Sequence, residues 1–190
     1  MGANLSSSMT IPKTFAITVV GLSGAGKTTL VKSLRPVRYT ECGEQAESLI
    51  GVQDINPTPR GYNWEKISFG NHTITFMDLS VEAQFEVGMC GNGLYEKAHA
   101  FIFVLDASVP ERFREAGDVL SLLTEEIRVT NGDDNTYPIR VLANKVDKLD
   151  QALNVDEISR ALDIAGHSGL GRAITLKLSC PVSGSPAGGE

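Results

Sequence analysis

The sequence predicts an α/β domain: a mostly parallel central sheet with helices on both faces and one antiparallel hairpin strand. Three observations predict it. An apolar, β-branched run, Phe15-Ala16-Ile17-Thr18-Val19-Val20, leads through a glycine-rich stretch into a segment that puts Leu30, Val31 and Leu34 on one helical face. Ala100-Phe101-Ile102-Phe103-Val104-Leu105 is the most apolar run of the chain and reads as a central parallel strand covered on both sides. Tyr62–Phe69 alternates apolar and polar residues and returns through Gly70-Asn71-His72 into Thr73–Met77, the pattern of a hairpin with one exposed face.

The glycine-rich stretch carries the chemistry. Gly21, Leu22, Ser23, Gly24, Ala25, Gly26, Lys27, Thr28 and Thr29 match G-x-x-x-x-G-K-[ST], the phosphate-binding loop, and lie between a strand and a helix as that loop requires. Glycines let the backbone turn so that successive N–H groups face phosphate oxygens. Lys27 adds a positive charge against the β- and γ-phosphates, and the Thr28 hydroxyl is placed to ligate Mg²⁺. The helix that opens there turns its positive dipole end toward the anion. The fold class this implies is the P-loop NTPase fold.

After the first helix, residues 36–56 show no strong period and read as a surface loop with a short helix at Ala46–Ile50. Pro57-Thr58-Pro59-Arg60-Gly61 is a turn, and Thr58 within it is a candidate second Mg²⁺ ligand that lets go when the γ-phosphate leaves. Asp78 ends the returning hairpin strand. An Asp there, beside a phosphate loop, organises Mg²⁺ through a water molecule. Residues 79–96 are polar with three glycines and predict a mobile segment around a short helix. Glu111–Val129 has helical spacing, with Phe113, Val119, Leu120, Leu123 and Ile127 on one side. Asn131–Asn135 reads as an exposed acidic loop.

Ile139–Ala143 is a further strand, running into Asn144-Lys145-Val146-Asp147. This N-K-x-D motif selects a base. Guanine offers N1–H and N2–H₂ to one carboxylate, and Asp147 supplies that bidentate acceptor. Asn144 can bond N7 and tie this loop to the phosphate-binding turn, and the Lys145 stem can lie on the base plane. Adenine lacks both donors and would leave Asp147 unpaired, at about 1–3 kcal/mol or more. A P-loop kinase or ATPase has no use for this motif. Val155–Leu162 is an amphipathic helix, Ile174–Leu178 a last strand, and residues 185–190 a flexible tail.

Composition agrees with one globular domain: 190 residues, 42% hydrophobic, 21% charged. The net charge of −6 weighs against nucleic acid as a partner. Three widely spaced cysteines suggest free thiols in a reducing, cytoplasmic setting. No run approaches membrane-spanning length. Met1-Gly2-Ala3-Asn4-Leu5-Ser6 fits the N-myristoylation signal with Gly2 as acceptor, and equally a Ser-rich terminus without a fold. One acyl chain without a polybasic segment predicts reversible, peripheral membrane association. The organisation expected is an arm over 1–14, a nucleotide-binding domain over 15–184 and a tail over 185–190.

These pieces resemble the small GTPases, most closely the ADP-ribosylation factor-like branch of the Ras superfamily. Met1-Gly2, Gly21–Thr29, Pro57-Thr58, Tyr62-Asn63, Asp78, Phe101–Asp106 with Arg112, Asn144–Asp147 and Ser179-Cys180 carry the resemblance. It implies a eukaryotic GTP/GDP switch with Mg²⁺, an exchange factor, a GTPase-activating protein and effectors, in membrane or vesicle trafficking. It adds Ser179 and Cys180 to the nucleotide-binding set and strengthens lipidation at Gly2. It also places four departures. The family runs from its Mg²⁺-organising Asp into Gly-Gly-Gln, whereas Asp78 is followed by Leu79-Ser80-Val81-Glu82. Val81 replaces a glycine that lets backbone approach the γ-phosphate, and Glu82 stands at the water-orienting Gln, where its charge repels that phosphate. Hydrolysis is therefore expected to be slow or absent, and a catalytically inactive nucleotide-binding module is the alternative. An extra residue precedes Gly61, which loosens the match at Thr58. Pro181 removes an N–H that the family turns toward guanine O6. The family's last helix has no counterpart in the sequence.

Overall fold

The computed structural model describes residues 13–34, 38–39, 45–46, 61–69, 72–80, 95, 97–131, 137–149, 155–168 and 174–178. Six strands form one sheet: β1 (Thr14–Val20), β4 (Tyr62–Phe69), β5 (His72–Leu79), β6 (Ala100–Asp106), β7 (Ile139–Asn144) and β8 (Ile174–Leu178). Their order is β4-β5-β1-β6-β7-β8. Every neighbouring pair is parallel except the β4/β5 hairpin. Two-residue strands β2 (Arg38–Tyr39) and β3 (Gln45–Ala46) pair antiparallel outside the sheet. The helices are α1 (Lys27–Ser33), α2 (Phe113–Asn131), α3 (Val155–Ala161) and α4 (Ile164–Ser168).

Both faces of the sheet are covered because successive strand residues point to opposite sides. Val19, Phe76 and Val104 face α1 and pack on Leu30 and Val31. Val20, Met77, Phe103 and Leu105 face the other way, against Phe113, Leu120, Leu123 and Ile127 of α2 and Ile158 of α3. The sheet therefore lies between two apolar clusters, and its strand ends are left to carry polar groups.

Several details differ from the sequence reading. Phe15 is exposed and not part of a buried run, because β1 enters the core only from Thr18 onward. Its ring instead meets His72 and His99 edge-on, and His99 Nδ1 accepts the Ala16 N–H at 3.0 Å. Leu34 leaves the apolar face of α1: the helix stops at Ser33, and the Leu34 N–H caps it on the carbonyls of Leu30 and Val31. Ala46 is in a strand and not in a helix. Asn131, expected to open the acidic loop, is instead the last residue of α2, which runs two residues past the expected end at Val129, and α4 was not anticipated. In β4 the apolar phase slips, so Tyr62 and Trp64 face solvent while Ile67 is buried. The segment around residues 81–94, most of the 36–56 loop and everything after residue 178 lie outside the described residues, as does any covering by a last helix.

Candidate functional site

The site forms where the parallel strands end. In open α/β sheets the crevice beyond the strands' carboxyl ends is where ligands bind, and β1, β5, β6 and β7 finish there together. β1 ends at Val20 and the loop 21–26 follows. Gly21 has φ 133°, and a Cβ on it would overlap the Val104 carbonyl, so only glycine lets the loop leave β1 this close to β6. Lys27 opens α1 and folds back over the loop. Its Nζ donates to the carbonyls of Gly21 at 2.9 Å and Leu22 at 3.0 Å. Lys27 is buried, and these carbonyls stabilise an ammonium that burial alone would disfavour.

Thr28 and Asp78 meet next to it. The Thr28 hydroxyl donates to Asp78 Oδ2 at 2.6 Å, and Asp78 is buried beside Val19 in the β1/β5 register. On the other side, β7 carries Asn144 to its end, in register with Asp106 of β6. The Asn144 amide Nδ2 donates to the Ala25 carbonyl at 2.8 Å. Its Oδ1 is buried with no hydrogen-bond partner among the described residues. Gly26, at φ 98°, leaves space for that amide: a Cβ there would overlap Asn144 Nδ2. Lys145 follows with φ 62°, in the left-handed region that side chains rarely adopt, and Asp147 is exposed in the 3-10 turn Val146–Lys148.

The structure thus brings Gly21–Thr29, Asp78 and Asn144–Asp147 to one end of the sheet. Thr58, Glu82, Ser179, Cys180 and Gly2 lie outside the described residues. These contacts fit a magnesium nucleotide. A hydroxyl and a carboxylate oxygen already face one another, as hard ligands for Mg²⁺. An ammonium is held over the phosphate loop, and a buried amide oxygen stands at its edge.

Two residues not assigned a role from the sequence also reach this end of the sheet. Asp106 Oδ2 pairs with Lys145 Nζ at 2.6 Å, and Arg112 Nη1 donates to the Ser23 carbonyl at 2.9 Å. Burial raises the Asp106 carboxyl, but bonds from Lys145 and Ser108 and the Lys145 charge outweigh it and hold the group below the usual aspartate range. The signal for Asp106 was its place: it ends β6 as Asp78 nears the end of β5 and Asn144 ends β7.

Comparison with known proteins agrees with this geometry. The family model for the ADP-ribosylation factor family matches residues 1–187. ADP-ribosylation factor-like protein 3 of Chlamydomonas reinhardtii is 30% identical over 148 residues, covering 78% of this chain and 71% of the relative. ADP-ribosylation factor-like protein 4D of Bos taurus is 32% identical over 152 residues, covering 78% of this chain and 66% of the relative. The chain thus spans roughly two thirds of the length of the curated relatives it matches. Among solved structures, the Arl6 BBS3 small GTPase from Trypanosoma brucei, bound to the nucleotide analogue GppNp, shares the fold with a TM-score of 0.69 at 23% identity, over 90% of each chain. With the family model spanning nearly its whole length and the phosphate and base loops side by side, the chain belongs to the ADP-ribosylation factor family of small GTPases.

Proposed function

We propose that this protein is a GTP/GDP switch of the ADP-ribosylation factor-like type, acting at a membrane in vesicle traffic, with slow or absent intrinsic hydrolysis. The observation that carries the reading is the 2.8 Å bond from Asn144 to Ala25, which couples the base-selecting loop to the phosphate loop. Phosphates are gripped by the amides of residues 21–26 and by Lys27. Guanine is selected by Asp147, with the Lys145 stem against the ring and Asn144 at its imidazole edge. Ser179 and Cys180 complete the base site in this reading. Thr28, Asp78 through a water, and Thr58 are the residues that would hold Mg²⁺, which would offset charge on the β- and γ-phosphates. Gly2 carries the myristoyl group that makes membrane contact reversible. Regulators and effectors read the shape of the segments at Thr58 and beyond Asp78.

Slow hydrolysis is supported by Val81 and Glu82 at the family's Gly and Gln positions. A carboxylate near the γ-phosphate repels charge where a neutral amide would orient water. A second reading, a nucleotide-bound interaction module without turnover, is favoured by Ser80. This residue is buried and bonded to Gly61 twice, Ser80 N–H to the Gly61 carbonyl at 3.0 Å and Gly61 N–H to Ser80 Oγ at 3.2 Å. These bonds tie down the start of the segment that a switch must release.

Nucleotide extracted from the purified protein should be GDP or GTP, and Asp147→Asn should shift preference toward xanthine nucleotides. Bound ATP, with Asp147→Asn silent, would contradict the reading. Single-turnover GTP hydrolysis separates the two forms. Glu82→Gln should accelerate a slow switch and leave a module near zero, while robust wild-type turnover removes both.

A further inference from the structure

The ten residues that begin with the last residue of β6, 106–115, touch both halves of the cleft. At one end, Asp106 splits its carboxylate. Oδ1 accepts the Ser108 N–H at 3.0 Å and the Ser108 hydroxyl at 2.6 Å, which turns the chain and aims Oδ2 at Lys145 Nζ. The next residue, Ala107, donates its N–H to the Asn144 carbonyl at 2.9 Å. The base loop is therefore held by one side-chain and one main-chain bond from this segment. The Lys145 pairing also supports a residue whose left-handed backbone is itself unfavourable.

At the other end, Arg112 lies in the 3-10 turn Pro110–Arg112 and extends its guanidinium to the phosphate loop, 89 residues away in sequence. Nη1 reaches the Ser23 carbonyl at 2.9 Å, while Nε and Nη2 are held by Glu115 at 2.8 and 3.0 Å. This two-pronged pairing fixes the plane of the guanidinium, so the third contact is directed and not diffuse. Buried Ala107 and Phe113 within the segment, and Ala116 just beyond it, anchor it in the core.

We propose that residues 106–115 are a brace that positions the nucleotide cleft: Asp106 sets Lys145 of the base loop, and the Glu115-oriented Arg112 sets Ser23 of the phosphate loop. The proposal rests on the guanine-nucleotide reading of the cleft and adds positioning residues to it. Each of the three acts through a protein group, Asp106 on Lys145 and Glu115-held Arg112 on Ser23. Releasing Ser23 loosens the grip on phosphates, which any nucleotide feels alike. Releasing Lys145 loosens the base, which is felt most when the base offers its full set of donors.

The experiment measures dissociation of GDP and of inosine diphosphate, which lacks the guanine N2 donors, from wild type, Arg112→Ala, Arg112→Lys, Glu115→Gln, Asp106→Asn and Arg128→Ala. Arg128 pairs with Glu125 at the same three-residue spacing as Arg112 with Glu115 but in the reverse sequence order, about four turns further along. Arg112→Ala should speed release of both nucleotides by about five- to tenfold, the range of one net hydrogen bond. Glu115→Gln should do so by a smaller factor, and Arg112→Lys should recover part of the loss. Asp106→Asn should speed GDP release more than inosine diphosphate release, narrowing their ratio, and Arg128→Ala should match wild type. Unchanged rates in Arg112→Ala and Asp106→Asn overturn the brace, as does an equal acceleration in Arg128→Ala, which would mark loss of helix stability alone. A wild type that retains no guanine nucleotide overturns the reading of the cleft, and the brace with it.

Discussion

The Thr28 hydroxyl donates to the Asp78 carboxylate across 2.6 Å and joins the first turn of α1 to the end of β5. Thr28→Val keeps the shape and removes the donor. Asp78 is 2% exposed, so weakening its hydrogen bonding should cost about 2 kcal/mol of stability, read by urea unfolding in excess chelator. The same variant should lose most of the Mg²⁺ dependence of GDP dissociation. Equal sensitivity to chelator in variant and wild type would remove Thr28 from the metal site.

Gly26 and Asn144 share one space. Gly26→Ala puts a Cβ on the Asn144 amide and a side chain at φ 98°, so the Ala25 bond must break. The expected loss is about 2–3 kcal/mol. Because both residues act on one contact, a double-mutant cycle with Asn144→Ala should be non-additive, the pair losing less than the sum. Strict additivity would show that the two do not compete for this position.

Tyr95 gives a prediction at alkaline pH. Burial, helped by the charge of Glu126, pushes its phenol up to about 12 from 10.0. The folded value lies above the unfolded one, so this contribution is fully present below pH 10 and is lost as pH rises toward 12. The rise from 10.0 to about 12 corresponds to about 2–3 kcal/mol. Urea unfolding between pH 9 and 12 should show that decline in wild type, and Tyr95→Phe should be flatter over the window. Parallel curves would place the phenol in contact with water.

Asp106 gives the opposite sign. Its carboxyl is held below the ordinary value of 3.8 despite burial, because Lys145 and Ser108 bond its charged form. The contribution is present above that ordinary value and is lost as pH falls through the depressed one. Wild type should therefore lose stability more steeply than Asp106→Asn below about pH 4. Matching acid limbs would mean that the Lys145 pair does not form in solution.

Local pattern and tertiary pattern divided the work unevenly. The strand existence at Tyr62–Phe69, the apolar run at Ala100–Leu105 and the spacing of Phe113, Leu120, Leu123 and Ile127 were readable from local pattern, but which face of Tyr62–Phe69 is buried was not, since Tyr62 and Trp64 face solvent and Ile67 the core. α4, five residues long, and the β2/β3 pair carry too few residues to show a period. Phe15 was misplaced because apolarity does not say how deep a strand sits. Leu34 was misplaced because the helix ended one residue before it.

The amino-acid sequence by itself determined which two loops are the candidates to meet a phosphate and a base. G-x-x-x-x-G-K-T and N-K-x-D are short stretches whose chemistry depends on residue type and spacing, and neighbouring residues stay neighbours in any fold. Only the tertiary structure decided the strand order that sets these loops side by side, the left-handed turn at Lys145, and the reach of Asp106 and Arg112 to opposite sides of the cleft. Those relationships join residues 39 and 89 positions apart. No local period encodes such a distance. It is set by the packing of α1 and α2 on opposite faces of one twisted sheet.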